Sequence, residues 1–115
     1  MVTEQGIEWG VEDAVARIVL DRPERANALG QTSAAALARA IDAVTAAAPR
    51  VIVIAARGPI FCAGGDIRDF VAAGDRLDEL VGVVLEPLLP AYLKLANQPA
   101  PVVSAPITRT GAPLE

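Results

Sequence analysis

The sequence contains no histidine and only one cysteine among its 115 residues. Without histidine, the chain alone cannot form a Ser-His-Asp triad, a Cys-His pair or a histidine-ligated zinc ion. Proton transfer must therefore fall to Asp, Glu, Tyr or the single lysine, Lys94. One cysteine excludes an internal disulfide, and we predict no metal site.

Excess positive charge and long apolar runs are missing as well. The 10 basic and 14 acidic residues give a formal net charge of −4, which argues against binding to a nucleic-acid backbone. Glu86 and Pro87 interrupt the most hydrophobic stretch, so no run approaches the roughly 20 residues of a membrane span. The N-terminus carries neither a basic region nor an apolar signal core. We therefore expect a cytoplasmic protein that binds neither nucleic acid nor a membrane.

Small apolar residues, in contrast, are abundant. Alanine supplies 23 of the residues in an apolar fraction of 53%, which is too high for intrinsic disorder. A chain of this length forms one domain or part of one. We expect a core with enough residues but little volume, because so many of them are alanines.

The spacing of apolar residues predicts strands and helices in the alternating order of an α/β protein. A hairpin turn at Glu12-Asp13 and a covered strand at the apolar run 51–55 are expected. Pro87 and Pro90 predict a kink or a division into two helices. The expected strands are 7–11, 14–20, 51–55 and 102–104, and the expected helices are 31–48, 67–73 and 76–97.

A glycine-containing turn between the strand 51–55 and the next helix is the segment most informative about function. Gly64 and Gly65 allow a sharp turn and a close ligand approach, and Asp66 suits the N-cap of the helix that follows. Free N–H groups at such a turn can stabilise an oxyanion, with the Gly65 N–H as the candidate donor. The same pattern also fits an ordinary strand-to-helix turn.

Three motifs in order resemble the crotonase family, the enoyl-CoA hydratase/isomerase group. They are Asp21-Arg22-Pro23 followed by Asn27-Ala28-Leu29, the segment VIVIAARGPIFCAGGDI at 51–67, and PAPVVSA at 99–105. The resemblance covers about residues 7–105 and implies an α/β fold, a partial crotonase-like ββα superhelix. Residues 1–105 would be the N-terminal part of that domain, and 106–115 a divergent, irregular tail.

The resemblance implies an acyl-CoA site in which the catalytic Gly65 donates its N–H to the thioester oxygen. The Ala63 carbonyl would contact the adenine, and Arg25 and Ala26 would lie along the CoA nucleotide. Asp66 would be mainly structural, and CoA is part of the substrate, so no separate cofactor is implied. For Arg25 an alternative is a solvated loop arginine. The implied CoA-binding residues are Arg25, Ala26, Ala28, Ala63, Gly65, Asp66 and Ile67.

The sequence also departs from the family pattern. The glycine cluster that supplies the family's second oxyanion donor is absent after Ala105, and no residue matches the two catalytic glutamates of the hydratases. Glu86 precedes Pro87 and lies among residues with core-like spacing, so we do not expect it to be catalytic. Cys62 has no histidine partner, and we expect it to be buried as a small packing residue.

Three functions remain open. The first is an enoyl-CoA hydratase or isomerase of fatty acid metabolism, for which we do not expect activity of the chain alone. The second is a non-catalytic remnant that binds acyl-CoA. The third is a fragment completed by a second chain, and a homo-oligomer is also compatible with the sequence.

Overall fold

A computed structural model of the chain describes residues 1–107. It contains five strands, three α-helices and two short 3₁₀ turns, at Pro23–Arg25 and Gly74–Arg76. The strands are β1 Val2–Glu4, β2 Ile7–Glu12, β3 Val15–Leu20, β4 Val51–Arg57 and β5 Val102–Ile107; the helices are α1 Gln31–Ala46, α2 Ile67–Ala73 and α3 Leu77–Asn97.

The five strands form one sheet in the order β1-β2-β3-β4-β5. The β1–β2 and β2–β3 pairs are antiparallel, whereas β3–β4 and β4–β5 are parallel. Each antiparallel pair is joined by two residues with positive φ, Gln5-Gly6 and Asp13-Ala14, the backbone of a tight hairpin turn. The second turn therefore lies one residue later than the predicted Glu12-Asp13.

Helix α1 lies between the sheet and α3 and forms the centre of the core. It packs against β2 and β3 on one side and against α3 on the other. Its buried alanines bring α3 close, and Leu37, Ile41 and Val44 fill the remaining space. On the sheet, Ile18 and Ile52 face this layer and are fully buried.

The opposite face of β4 is less covered than the apolar run predicts. Val51 and Val53 are half-buried, and Val103, beside Val53 in the register, is exposed. Ala55 on the same face is buried, so the expectation of a strand covered on both faces holds only in part within residues 1–107.

Helix α3 continues through both of its prolines, which excludes the second of the two predicted alternatives, a division into two helices. Pro87 and Pro90 cannot donate to the carbonyls of Val83 and Glu86, four residues earlier. Both of those residues are exposed. Water can therefore satisfy the two carbonyls, and packing of Val84, Leu88 and Ala91 maintains the helix.

The other elements agree with the α/β expectation, with small shifts of their ends. Strand β1 was not predicted, and β5 continues to Ile107 beyond the expected Ser104. The proposed irregular tail at 106–115 therefore begins inside a strand, and its remaining residues, 108–115, lie outside the described part of the chain.

Candidate functional site

Two loops meet beside the C-terminal ends of β3 and β4 and are joined through their backbones. The Ala63 N–H donates to the Ala26 carbonyl at 3.1 Å. The Leu29 N–H donates to the Gly64 carbonyl at 2.7 Å, and the Asp66 N–H donates to the Leu29 carbonyl at 3.0 Å. The motif ending in Asn-Ala-Leu and the glycine motif thus form one structural unit.

This backbone pairing determines where the Gly65 N–H points. Leu29 forms a parallel bridge with Gly65 by bonding to the residues on either side of it. In extended backbone, the N–H and C=O groups of successive residues point to opposite sides. Because Gly64 and Asp66 both bond to Leu29, the Gly65 N–H between them points away from Leu29. Within residues 1–107 no acceptor takes it up. The sharp bend falls on Gly64, whose φ is +93°, and not on Gly65.

Asn27, which the sequence reasoning left without a role, fastens the first loop to the end of β4. Its side chain is buried, and Oδ1 accepts the Arg22 N–H at 2.7 Å. Its Nδ2 donates to the carbonyls of Arg57 and Ile60, each at 2.9 Å. Its φ of +54° is one that asparagine tolerates better than most residues. A buried amide in the left-handed region could have been suspected from the motif, but its three partners could not.

Arg57 at the end of β4 fixes the start of the same loop. Its Nη1 lies 3.1 Å from Glu8 Oε2 and 3.2 Å from Asp21 Oδ2. The neighbouring carboxylate of Glu8, followed by that of Asp21, raises the pKa of Arg57 above its ordinary value. Asp21 in the family-like motif is therefore an ion-pair residue.

Asp66 caps helix α2, as the sequence predicts, and also binds Arg25. Its Oδ1 accepts the Arg68 N–H at 3.0 Å, and its Oδ2 accepts Nη2 of Arg25. Arg25 Nη2 also lies 3.7 Å from Asp69 Oδ1. Arg25 is thus half-buried and ion-paired, which corrects the alternative of a solvated loop arginine.

All seven residues proposed from the sequence line one surface cleft of about 360 Å³. Sequence reasoning missed the three others that line it, because no motif marks them. The seven are Arg25, Ala26, Ala28, Ala63, Gly65, Asp66 and Ile67, and the three are Pro23, Glu24 and Arg68.

A second cavity, of about 260 Å³, lies on the other side of the turn and is mostly apolar. Helix α3 forms most of its wall, and Gly65 lines both cavities. The Phe70 ring occupies the space where a Cβ on Gly65 would lie. The lining residues are Leu29, Gly64, Gly65, Phe70, Val81, Val84, Leu85, Leu88 and Tyr92.

Tyr92 carries the only side-chain hydroxyl in that apolar lining. Tyr92 is 43% exposed, and its partial burial, followed by the nearby Cys62, raises the pKa of Tyr92 above its ordinary value, so its phenol is neutral at pH 7. Cys62 itself is exposed, so the prediction that it is buried is wrong. Cys62 lies in the loop after β4 and is not one of the buried residues that form the core. Glu86 is exposed and lines neither cavity.

Residues 1–107 contain neither a membrane-spanning helix nor a cluster of metal ligands. No helix there has the length and apolar content needed to cross a bilayer. The same residues contain no group of three or more potential metal ligands.

Comparison with solved structures places this architecture in a known class. An enoyl-CoA hydratase of Mycobacterium smegmatis matches with a TM-score of 0.74 and 29% identity, over 88% of this chain and 39% of that chain. An enoyl-CoA hydratase/isomerase of Xanthobacter autotrophicus Py2 matches with a TM-score of 0.73 and 28% identity, over 90% and 39%. The chain is a partial crotonase-like α/β domain.

Sequence comparison identifies the family. The family model for enoyl-CoA hydratase/isomerase matches residues 10–107. A probable enoyl-CoA hydratase of Rhodobacter capsulatus is 35% identical over 99 residues, which are 86% of this chain and 37% of the relative. A probable enoyl-CoA hydratase of Mycobacterium tuberculosis is 39% identical over 100 residues, or 75% and 41%. The chain belongs to the enoyl-CoA hydratase/isomerase family and spans about two-fifths of the length of these relatives.

Proposed function

We propose that the chain binds an acyl-CoA thioester, with the thioester oxygen accepting the Gly65 N–H. The observation that carries the proposal is that Gly65 lines both cavities, one with the charged residues Glu24, Arg25, Asp66 and Arg68 in its lining and one mostly apolar. A thioester has the same division, because a polar CoA and an apolar acyl group meet at the reacting carbonyl. An N–H without an acceptor among the described residues is available at that junction.

The other cleft residues have corresponding roles in this proposal. Ala63 would offer its carbonyl to the adenine, and Arg25, Ala26, Ala28 and Ile67 would lie along the CoA. The acyl group would occupy the apolar cavity beside α3. Support for this placement comes from the common cleft and the family membership.

For catalysis, hydration of an enoyl-CoA needs more than residues 1–107 supply. The reaction requires an oxyanion hole, a positioned water molecule and a carboxylate that acts as base and acid. No carboxylate among the described residues lines the apolar cavity. A missing oxyanion donor costs about 10²–10³ in rate, and a missing acid/base group about 10²–10⁴. We therefore propose that the chain alone binds the thioester without turning it over at a useful rate.

Calorimetry with acetyl-CoA tests the binding proposal. We expect weak, saturable binding that Gly65→Pro abolishes, because proline has no N–H and fixes φ. Arg50→Ala, which removes an exposed arginine outside both cavities, is the control and should bind as the wild type does. No saturable heat at millimolar acetyl-CoA, in a sample shown to be folded by circular dichroism, would contradict the proposal.

A crotonyl-CoA assay tests the catalytic part. Absorbance of the conjugated thioester should not fall faster than background with protein prepared from a host lacking its own hydratases. Turnover that co-purifies with the chain and disappears in Gly65→Pro would show that a carboxylate of this chain acts as the base.

A fragment completed by a second chain is the other candidate. Within residues 1–107, β5 pairs with β4 only and leaves its outer edge open, and the exposed Val102 and Val103 lie on it. Co-expression with the part of the Mycobacterium tuberculosis relative beyond the matched residues should then give a stable complex with hydratase activity. Cooperative unfolding of the chain as a monomer, without complex formation, would favour a non-catalytic remnant.

We also propose, from the family membership, that the protein acts in the cytoplasm in fatty acid metabolism.

A further inference from the structure

Arg25 and Asp66 join the two loops of the cleft through a partly buried ion pair. The Asp66 side chain is 3% exposed and the Arg25 side chain 26%. They are 41 residues apart in sequence, and Arg25 Nη2 also approaches Asp69 Oδ1 at 3.7 Å. A buried carboxylate that loses its cation is strongly destabilised, so the pair restricts the relative movement of the two loops.

The turn that presents the Gly65 N–H needs such a restriction. Gly64 and Gly65 are consecutive, and glycine has the widest choice of backbone conformation. The turn is held on one side by the hydrogen bonds of Leu29. On the other side it is continuous with Asp66, whose carboxylate is bound by the Arg68 N–H and by the Arg25 guanidinium.

We propose that Arg25 is a positioning residue for the Gly65 N–H, acting through Asp66, and is not solely a phosphate ligand. The inference rests on the proposed function, in which that N–H binds the thioester oxygen. The Arg25–Asp66 ion pair fixes the conformation of the turn before any ligand arrives. Arg25 substitution therefore weakens binding of thioesters that have no phosphate at all.

A second arginine of the cleft provides a matched control. Arg68 lines the same cleft, its side chain is exposed, and it makes no salt bridge with any of residues 1–107. Arg25→Gln and Arg68→Gln remove the same charge from the same cleft. Only the first breaks the link to Asp66.

The affinity experiment compares acetyl-CoA with S-acetylpantetheine, which lacks the nucleotide and its phosphates. Arg25→Gln should weaken both ligands, S-acetylpantetheine by at least about threefold. Arg68→Gln should weaken acetyl-CoA alone or neither ligand. An Arg25→Gln protein that binds S-acetylpantetheine as the wild type does would overturn the proposal and leave only a phosphate contact.

Amide NMR of the ligand-free chain tests the positioning separately. In Arg25→Gln the Gly65 resonance should shift or broaden, while those of Gly10 in β2 and Gly82 in α3 stay in place. If Arg25→Gln does not fold, Asp66→Asn keeps a capping side chain without the charge and should displace the Gly65 resonance in the same way. An unchanged Gly65 resonance in the folded variant refutes the positioning role. If the wild type binds neither thioester, the proposed function fails, and the resonance comparison still decides the role of the ion pair.

Discussion

Replacement of Asn27 by alanine should destabilise the chain severely, because one buried side chain holds three backbone groups. Its Oδ1 accepts the Arg22 N–H, and its Nδ2 donates to the Arg57 and Ile60 carbonyls. Removing a partner from a buried polar group costs about 1–3 kcal/mol. Because all three bonds are only partly buried, we use about 1 kcal/mol for each.

Backbone conformation adds a second cost. Asn27 has a φ of +54°, and a residue with a Cβ other than asparagine or aspartate loses about 1 kcal/mol there. The sum is about 4 kcal/mol, a large part of the 5–15 kcal/mol by which small domains are stable. Asn27→Gly removes the side-chain bonds without the conformational cost, and should be about 1 kcal/mol more stable than Asn27→Ala.

Urea unfolding followed by circular dichroism measures both differences. Asn97→Ala is the control, because the Asn97 side chain makes one exposed hydrogen bond to the Leu93 carbonyl. It should change the free energy of unfolding by less than about 0.5 kcal/mol. If Asn27→Ala costs less than about 1 kcal/mol, the three hydrogen bonds do not hold the loop and the reasoning is refuted.

Two further predictions follow from the apolar cavity. Gly65→Ala has an allowed φ but places its Cβ against the Phe70 ring, so it should lower the free energy of unfolding in urea by about 1–3 kcal/mol. Adding Phe70→Leu to the same chain should recover part of this loss. If the losses of the two substitutions simply add, the overlap with the ring is contradicted. The absorbance of the chain's one tyrosine, Tyr92, should titrate at higher pH in the folded protein than in urea, because burial raises its pKa. Since the folded-state pKa is the higher one, this contribution to stability is complete below about pH 10 and is lost as the pH rises through the pKa of the folded state. Identical titrations in both states would show that the fold does not desolvate the partly exposed Tyr92 hydroxyl.

Local patterns were sufficient to predict most of the fold. The apolar period of α1, the N-cap at Asp66 and the stop at Gly74 are encoded by neighbouring residues, and the structure confirms them. Strand β1 was missed because three exposed residues have no apolar pattern. The sequence left a kink and a division of α3 as alternatives, because the penalty for proline depends on whether water reaches the freed carbonyls, which only the packed structure shows.

For the candidate site, the sequence predicted which residues meet but not how they are held. Short motifs identified the seven cleft residues because each motif keeps its members close in the chain. The ion pair of Arg25 with Asp66 and the Asn27 hydrogen bonds to the end of β4 connect residues about 30–40 positions apart. No local pattern specifies such partners. The exposure of Cys62 was missed for a similar reason, since burial depends on what packs over a loop.

The open edge of β5 has a limited capacity to bind another strand. The Ile52 N–H donates to the Pro101 carbonyl, so the backbone N–H and C=O groups of alternate residues from Pro101 onward point toward β4. The backbone groups of Val102, Ser104 and Pro106 point toward the open edge. Pro106 has no N–H to donate, but because its backbone faces the open edge, the bonding of β5 to β4 loses no hydrogen bond. A strand that joined this edge would therefore find amide donors at Val102 and Ser104 but none at Pro106. That gap limits uncontrolled edge-to-edge association, and it restricts the alignment that any completing strand could adopt.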